Sequence, residues 1–352
     1  MRIGILSAEL GQEDVQENKR LAREIILGGH RPVIINYRKT VLAITKKKSQ
    51  LYQPDKKGFL RPVKVDAVIP RINEAAERSI QLAIVALECL ITAGAYSTAS
   101  PRSIRLAKSK VRTLVALANA GVPIPRTAAI TSTETSQIEF DKFLKTVEPN
   151  PRRRIIVKTN TGTHGKGVMS AKSRGEARAI VDGFSANNIP VLLQQFVEPS
   201  KKNTYVDLRL IVVDGQVVGA MKRQSNRKDE IRTNISLGGR GMPYNPTEPE
   251  AEIAKKAAKA IGANVAGVDI IPSGRSRLII EVNTSPGFVI ESITGVNVAK
   301  KIVRAAVSGA RKGERPASQK LIDILSTDIP TVKPKSSLRP LKKIGLLPRS
   351  IP

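Results

Sequence analysis

Two acidic residues and an amide in the last third of the chain have the spacing of a metal site. Glu281 and Asn283 are two residues apart on a predicted strand, so both side chains point to one face of it. Residues 273–277 have the composition of a turn, and a turn centred on Arg275 places Asp269 opposite Glu281 in a hairpin. Oxygen donors of this kind suit Mg²⁺ that also holds substrate phosphates. The alternative is a hairpin in which these acids form salt bridges only.

A glycine-rich loop follows a second predicted strand, residues 155–158. The stretch from Lys158 to Val168 contains three glycines, two of which are Gly165 and Gly167. Such a loop lets backbone N–H groups approach phosphate oxygens, and Lys158 adds a positive charge. The stretch matches neither a Walker loop nor a Rossmann fingerprint. By itself it fits a phosphate-binding loop and an ordinary surface hairpin equally well.

Several cations and a tight turn flank the same hairpin. Residues 283–287 read Asn-Thr-Ser-Pro-Gly, a turn that presents N–H and hydroxyl groups to an anion. Arg209, Arg223 and Arg232, the last with Asn234, lie at predicted strand ends. One such arginine is usually a solvated side chain, whereas the set fits a clamp on a triphosphate and a developing acyl phosphate.

The chain is strongly basic, with 59 Lys and Arg against 30 Asp and Glu in 352 residues, a net charge of +29. This charge attracts polyanions, and nucleic acids, nucleotides and acidic proteins are the candidates. With six Phe, five Tyr and no Trp, few aromatic platforms are available for stacking bases. Two histidines and one cysteine, Cys89 in an apolar helix, indicate no Ser/His/Asp or Cys/His catalytic set.

Composition also bears on the compartment. The N-terminus lacks the long apolar stretch of a secretory signal, and Gln81 and Glu88 interrupt the apolar residues 79–96. A single cysteine excludes an intramolecular disulfide and favours a reducing compartment. We expect a cytoplasmic protein with no membrane partner.

Strand and helix patterns alternate over residues 1–97. Strands are predicted at residues 2–6, 32–35 and 66–69, and helices at residues 16–27 and 75–91. This alternation is typical of a parallel α/β sheet.

Two further segments carry specific expectations. Residues 38–64 hold nine basic residues and one acid, and we predict an excursion that is partly loop. Its charge indicates either a solvated face or a docking surface for an acidic partner. Residues 103–120 predict one helix that stops at Gly121.

Taken in order, these motifs resemble the ATP-grasp superfamily, and within it the RimK-like α-L-glutamate ligases. The resemblance runs from Met1 to about Ala310. It implies a mixed α/β and α+β protein, an ATP-grasp fold with an N-terminal Rossmann-like (pre-ATP-grasp) domain. The stretches that carry it are residues 66–72, 109–113, 158–168, 194–197, 207–209, 232–234, 238–239, 266–269 and 281–287.

The resemblance divides the chain into four parts. They are an N-terminal α/β pre-ATP-grasp domain (1–97), a central ATP-grasp subdomain with the glycine-rich loop (98–190), a C-terminal ATP-grasp subdomain with the metal site (191–310) and a basic, proline-containing tail (311–352).

The resemblance also implies a role for each candidate residue. The nucleotide phosphates would be held by Lys110 and Lys158, with Gly165 and Gly167 in the loop. The hinge that reads adenine would be Gln194, Gln195, Phe196 and Val197, with Asp207 near the ribose. The groups facing the γ-phosphate and substrate would be Arg209, Arg223, Arg232 and Asn234. Two Mg²⁺ ions, or Mn²⁺ in their place, would be bound by Asp269, Glu281 and Asn283.

The implied reaction is an ATP-dependent ligation. A carboxylate attacks the γ-phosphate to give an acyl phosphate, and an amine then displaces phosphate to form an amide. The expected substrates are glutamate, or another amino acid, and the C-terminus of an acidic protein or peptide such as a ribosomal protein. Relatives often form dimers or tetramers, which makes a homo-oligomer an option here.

Two alternatives stay open. One is the same chemistry on a small-molecule, peptide or amino-carrier-protein acceptor, as in glutathione-type or lysine-biosynthesis ligases. The other is a non-catalytic ribosome- or RNA-binding protein, for which the charge is the motive.

The sequence departs from the family in three places. His164 stands where the family often has Gln, and Gln195 stands where Glu is expected. Ser236 and Leu237 replace a His-Arg pair just before the next glycines. The last departure bears on the acceptor, because this strip is expected near the substrate.

Overall fold

The computed structural model describes residues 1–8, 11–46, 49–73, 76–130, 140–162, 167–199, 204–226, 230–274 and 276–313. The predicted tail lies outside the described residues from residue 314 onwards, and so do Gly165 and His164 of the glycine-rich loop. None of the helices in the described ranges combines the length and apolar composition that crossing a membrane requires.

A parallel sheet of four strands builds the N-terminal part. Its elements in chain order are β1 (Arg2–Ser7), α1 (Gln12–Leu27), β2 (Arg31–Asn36), β3 (Val41–Ile44), β4 (Ser49–Pro54), β5 (Leu60–Pro62), β6 (Ala67–Arg71), α2 (Glu77–Thr92) and β7 (Tyr96–Ser97). The sheet order is β2-β1-β6-β7, with every pair parallel. After α1 the chain turns at Gly29, whose φ of 74° a glycine adopts without steric cost. The predicted α/β pattern is confirmed.

The remaining strands of this part form a separate three-stranded antiparallel sheet, which we call the meander (β3-β4-β5). The predicted excursion at residues 38–64 is partly loop, as expected, but the sequence reading did not identify these three strands. Leu51 and Val63 are buried in a core that they share with Ile84 of α2. Burying this apolar surface against α2 stabilises the strands.

The central part begins with helices and then forms an antiparallel sheet. Its elements are α3 (Pro101–Ala107), α4 (Lys110–Asn119), β8 (Thr127–Ile130), α5 (Phe140–Val147), β9 (Ile155–Thr159), β10 (Val168–Ala171), α6 (Arg174–Ser185) and β11 (Val191–Gln195). The sheet order is β10-β9-β11-β8.

The prediction of one helix over residues 103–120 is wrong, because the chain breaks between α3 and α4. Ser109 caps α4, since its Oγ accepts a backbone N–H of the first turn. Asn160, just after β9, accepts the backbone N–H of Lys110 at 3.2 Å and, on Oδ1, that of Val111 at 3.1 Å. The break thus fixes Lys110 at the start of a helix beside the end of β9.

The C-terminal part is a five-stranded antiparallel sheet with helices against it. Its elements are β12 (Val206–Val213), β13 (Gln216–Gln224), β14 (Arg240–Pro243), α7 (Glu248–Ile261), β15 (Val265–Ser273), β16 (Ser276–Asn283), α8 (Val289–Thr294) and α9 (Val298–Arg311). The sheet order is β14-β13-β12-β15-β16. Asp214 and Gly215, with φ values of 47° and 73°, form the hairpin turn between β12 and β13.

Helix α9 joins the first and last sheets in one core. Ile302 of α9 packs in a cluster with Ile3 of β1 and Ile211 of β12. Gly309 lies so close to the ring of Tyr96 that a Cβ there would collide with it. The N-terminal sheet is therefore covered by a helix from the far end of the described chain.

Candidate functional site

Asp269 and Glu281 lie opposite each other on β15 and β16, as the sequence predicts. The register is reached differently from the prediction. Ser273 pairs with Ser276, so only two residues form the turn. A bulge between Asp269 and Ile270 then shifts the register by one and brings the two acids together. The inferred centre of the turn was therefore wrong, whereas the inferred pairing is confirmed.

Asp269 is bound by two arginines from neighbouring strands. Arg209, its cross-strand partner on β12, contacts both carboxylate oxygens, with Nη2 at 2.6 Å from Oδ2. Arg223 Nη2 lies 2.9 Å from the same Oδ2. Burial alone would raise the pKa of Asp269, but the two guanidiniums hold it below its usual range. Asp269 is consequently an anion at neutral pH.

Arg223 links Asp269 to a second buried carboxylate. Its Nε and Nη2 donate to Oδ1 and Oδ2 of Asp207, both at 2.7 Å. Thr233 Oγ1 donates to the same Oδ2 at 2.6 Å. Charges of alternating sign therefore cross β15, β12 and β13, with each carboxylate paired as burial requires. The predicted contact of Asp207 with a ribose stays a prediction.

Lys158 is held by the hinge strand. Its Nζ donates to Oε1 of Gln194 at 2.6 Å, and Gln194 Nε2 donates to Thr127 Oγ1 at 2.9 Å. Burial lowers the pKa of Lys158 to about 8, although the negative charge of Glu281 opposes this effect. Gln194 therefore orients the ammonium, and the lysine faces the acids across a space between two sheets.

Lys110 approaches the same acid from the start of α4. Its Nζ donates to the carbonyl oxygen of Gly162 at 3.2 Å. Burial lowers the pKa of Lys110, and the charge of Glu281 again opposes the shift. The charge of one carboxylate in the C-terminal part, Glu281, thus opposes the lowering of the pKa of two lysines in the central part.

Two cavities meet at these residues. The first has a volume of 610 Å³ and the second 560 Å³. The predicted residues that line the first are Lys110, Lys158, Gln194, Gln195, Phe196, Val197, Asp207, Arg223, Arg232, Asn234, Asp269 and Glu281. Of these, the second is lined by Lys110, Arg223, Asn234 and Glu281, and it is also lined by Arg209 and Asn283. Glu281 therefore lies at the junction of the two cavities.

The segment that the resemblance assigns to the hinge, residues 194–197, lines the first cavity. Gln195 exchanges hydrogen bonds with Arg126, donating its N–H at 2.8 Å and accepting on Oε1 at 3.4 Å. Phe196 is buried edge-on against Tyr205, with ring centroids 6.1 Å apart. The contact of this segment with adenine stays a prediction.

Of the two glycines predicted in the phosphate loop, the structure describes Gly167. Its φ is 74°, and a Cβ there would collide with the side chain of Thr159. Its carbonyl accepts the Thr159 N–H at 3.0 Å. The glycine closes the base of the loop against β9.

Arg232 and Asn234 reach the first cavity on a tight loop. Arg232 is paired with Glu230, with Nη2 2.6 Å from Oε2, a partner that the sequence analysis missed. Asn234 is fixed through its carbonyl, which accepts the N–H of Gly239 at 3.1 Å. A Cβ on Gly239 would clash with the carbonyl of Thr233, so the loop requires a glycine there. The roles of Arg232 and Asn234 toward a substrate stay predictions.

Sequence reasoning gave no role to a buried arginine beside the second cavity. Arg71, at the end of β6, pairs with Glu17 of α1, and its guanidinium lies 5.0 Å above the ring of Phe288. Ser285 Oγ accepts the backbone N–H of Ile72 at 3.1 Å. The turn after β16 is therefore fastened to the N-terminal sheet. The only signal was that Arg71 falls in a stretch that carries the family resemblance.

The donor set fits a divalent cation. Asn283 lies opposite Gly267, two positions from the Asp269–Glu281 pair, so the three side chains share one face. Within the described residues, the Glu281 carboxylate makes no hydrogen bond, and Asn283 Oδ1 accepts only from the Ser285 N–H at 2.9 Å. Two carboxylates and an amide are hard oxygen donors of the kind that Mg²⁺ prefers. Among the described residues no group of three His, Cys, Asp or Glu side chains could hold a metal ion, so a site here would need the Asn283 amide as its third protein ligand.

Comparison with known families covers nearly the whole described chain. Residues 1–104 match the RimK PreATP-grasp domain, and residues 107–306 match the RimK-like ATP-grasp domain. A probable alpha-L-glutamate ligase from Thioalkalivibrio sulfidiphilus is 33% identical over 314 residues, 88% of this chain and 97% of that protein. One from Picosynechococcus is 32% identical over 317 residues, 89% of this chain and 98% of that protein.

Solved structures share the fold at lower identity. The ATP-grasp ligase PsnB, complexed with minimal precursor, superposes with a TM-score of 0.63 at 20% identity, covering 87% of this chain and 97% of that one. The D-cycloserine synthetase DcsG gives a TM-score of 0.64 at 17% identity, covering 89% and 100%. With two matching domains and relatives of this identity, the chain belongs to the RimK-like ATP-grasp family of ligases.

Proposed function

We propose that this protein is an ATP- and Mg²⁺-dependent carboxylate–amine ligase that adds glutamate to an acidic polypeptide. The observation that carries the proposal is that side chains of opposite charge line the same cavity. Lys110 and Lys158 lie on one side, and Asp269, Glu281 and Arg223 lie on the other. Phosphate-binding cations and metal-binding oxygens thus face a common space between two sheets.

The first chemical step brings together two anions, the substrate carboxylate and the γ-phosphate. Lys110 and Lys158 bind the phosphates, and Arg209 and Arg223 stabilise the charge that develops on the transferred phosphoryl group. Mg²⁺ held by Glu281 and Asn283, with Asp269, supplies further charge neutralisation when it is bound. Two ions, or Mn²⁺ in their place, are compatible with three such ligands.

The two cavities suggest a division of labour. The first, which contains the hinge, takes the nucleotide, and the second takes the carboxylate and the amine. Arg209 and Asn283 line the second cavity, and Glu281 lies where the two meet. The acyl phosphate then forms at the junction, and the amine attacks it from the second cavity. No covalent bond to the enzyme is required.

Relatives and charge support the choice of substrates. The relatives are named probable alpha-L-glutamate ligases, and solved neighbours include PsnB with a peptide precursor. The net charge of +29 suits an anionic amino acid and an acidic polypeptide, of which a ribosomal protein tail is one example. We also propose that the protein is cytoplasmic, and a homo-oligomer is compatible with this proposal.

A small-molecule or carrier-protein acceptor is the second candidate. Ser236 and Leu237 replace the His-Arg pair that the family resemblance leads us to expect. The described strip that carries them lies next to Asn234, which lines both cavities. A change in acceptor is therefore compatible with intact ATP chemistry.

Product analysis tests the proposal. Protein, ATP, Mg²⁺ and labelled glutamate are incubated with an acidic peptide, and ADP release and peptide mass are followed. We expect ADP and a peptide heavier by glutamate residues. Glu281→Gln is expected to abolish both, whereas the exposed Glu77→Gln on α2 leaves them unchanged. ADP release that ignores every acid and amine would contradict the proposal, and a modified small acceptor would favour the second candidate.

A further inference from the structure

The meander has one face packed on the protein and one face open to solvent. Leu42 and Leu51 are cross-strand partners on the packed face, and Leu51 is 2% exposed. Val41, Tyr52 and Pro62 are partners across all three strands and point the opposite way, because strand residues alternate. An apolar row therefore crosses the open face.

A second pair extends this row. Pro54 and Leu60 are cross-strand partners on the same face. Val41 is 48% exposed and Leu60 51%, and the neighbouring Phe59 is 60% exposed. We call the surface formed by Val41, Tyr52, Pro54, Leu60 and Pro62 the outer face. Exposed apolar residues grouped in this way mark interaction sites more often than scattered ones do.

Exposed cations lie close in sequence to the strands that form the outer face. The described, exposed lysines of residues 38–64 are Lys39, Lys46, Lys56, Lys57 and Lys64. The single acid, Asp55, accepts from Arg61 Nε at 3.0 Å and from two backbone N–H groups, so its charge is already paired. The potential over this surface is therefore positive.

We infer that the outer face is a docking surface for the acidic polypeptide acceptor, an inference that rests on the proposed function. Acidic side chains would pair with the lysines while apolar side chains between them contact the row. A second copy of this chain is disfavoured, because its charge of +29 has the same sign. A nucleic acid is a poorer match, because the row is mainly aliphatic and proline, and Arg61 covers the Phe59 ring at 5.9 Å.

The surface is separate from the catalytic groups. Neither cavity at the proposed active site is lined by a described residue of the meander. Docking would therefore act by holding a long acceptor on the enzyme, without taking part in the chemistry. Its loss should change KM for a long acceptor and leave kcat unchanged.

The experiment compares two charge-reversed proteins. In the test protein, Lys56→Glu, Lys57→Glu and Lys64→Glu are combined. In the control, Lys19→Glu, Lys145→Glu and Lys301→Glu remove the same number of exposed lysines elsewhere. The probes are a fluorescent poly-L-glutamate, an acidic peptide with leucine at every fourth position, and an oligouridylate. We expect the test protein to bind the leucine-containing peptide about tenfold or more weakly, with the control near wild type.

A second variant tests the apolar row without a change of charge. Val41→Ser with Leu60→Ser alters two exposed side chains, and we expect weaker binding of the leucine-containing peptide but unchanged binding of poly-L-glutamate. Unchanged binding of both acidic probes by the test protein, or tighter binding of oligouridylate than of either peptide, would overturn the inference.

Ligation assays separate this inference from the proposed function. With triglutamate as a minimal acceptor, the test protein should keep the wild-type kcat. If wild type ligates but the test protein shows no rise in KM for the long acceptor, the docking inference fails alone. If no protein ligates any acceptor, the proposed function fails, and the inferred acceptor surface fails with it.

Discussion

Arg71 donates a hydrogen bond from Nη1 to the carbonyl oxygen of Pro286, 215 residues further along the chain, at 2.8 Å. The same guanidinium pairs with Glu17, whose Oε1 accepts the N–H of Phe288 at 3.0 Å. These contacts fix the turn that follows the proposed metal-binding strand. The N-terminal sheet therefore positions the turn beside the second cavity.

Replacing Arg71 by Gln tests this positioning role. The change leaves Glu17 buried without its charge partner, and we expect a loss of about 3–5 kcal/mol in the free energy of unfolding. In the protein that remains folded, kcat should fall about tenfold, because the turn beside Asn283 loses its anchor. Urea unfolding and ADP release measure the two effects. The partly exposed Arg105, paired with Glu88, provides the control Arg105→Gln, and equal effects of both changes would contradict the role.

Asp269→Asn tests the alternating charges of the site. The change leaves the buried Arg223 and Arg209 with less compensating charge, and we expect a loss of about 3 kcal/mol or more in stability. Ligase activity should be lost, because the anion that holds both guanidiniums is gone. Asp182→Asn on α6 removes an exposed ion pair with Arg178, which is expected to change stability by at most about 1 kcal/mol. Full activity of Asp269→Asn would rule out the proposed site.

The pKa of Lys158 predicts a pH dependence of nucleotide binding. Burial lowers this pKa from 10.5 to about 8, so the free protein loses the positive charge as the pH rises through 8. ATP affinity, measured by titration calorimetry, should therefore fall above pH 8, whereas kcat at saturating ATP changes less because bound phosphate favours the charged lysine. Lys158→Arg keeps the positive charge and should remove this fall in ATP affinity above pH 8. If the arginine variant still loses affinity above pH 8, another group is responsible.

The same shift gives a sign for stability. Between pH 8 and 10.5 the unfolded chain binds the Lys158 proton and the folded chain does not. The contribution of Lys158 to the free energy of unfolding therefore rises with pH across this window. The difference between wild type and Lys158→Gln, measured by urea unfolding at pH 7 and pH 10, should show this trend. A wild-type advantage that shrinks between these pH values would contradict it.

Two helix glycines should respond to alanine with opposite signs. A Cβ at Gly309 would meet the ring of Tyr96, whereas nothing lies within 4 Å of a Cβ at Gly183. Gly309→Ala is expected to lower stability by about 1–3 kcal/mol through overpacking. Gly183→Ala should raise it by about 0.5–1 kcal/mol, the ordinary gain of alanine in a helix. Thermal unfolding checks both, and stabilisation by Gly309→Ala would show that α9 can move away from β7.

In the hairpin of β15 and β16, residue spacing alone predicted one cross-strand pair correctly and the turn incorrectly. The pairing of Asp269 with Glu281 followed from a turn placed at Arg275, and the structure has that pairing with a shorter turn and a bulge. The shorter turn and the bulge each shift the register by one residue in opposite directions, so the two errors cancel. The bulge could not be predicted, because the residues around it are all of types that suit strands. The same-face position of Glu281 and Asn283 was safer, since it depends only on the period of a strand.

For three other features, there is a physical reason why the sequence could or could not predict them. Ser109 is a good N-cap residue, and it could have predicted the break before Lys110. The meander was missed because its strands are short and its many lysines suggested a loop. Arg71 could not have been found by pattern, because its partners lie in α1 and in a turn more than two hundred residues away.

Helix α9 has a consequence for synthesis. Ile69 of β6 and Ile3 of β1 are buried beneath residues 298–311, which the ribosome makes last among the described elements. Until that helix emerges, the first sheet is translated but one of its apolar sides stays uncovered. A nascent chain stalled before Val298 would thus expose apolar surface. We expect chaperones to bind such fragments, or the fragments to precipitate, because of where this helix packs.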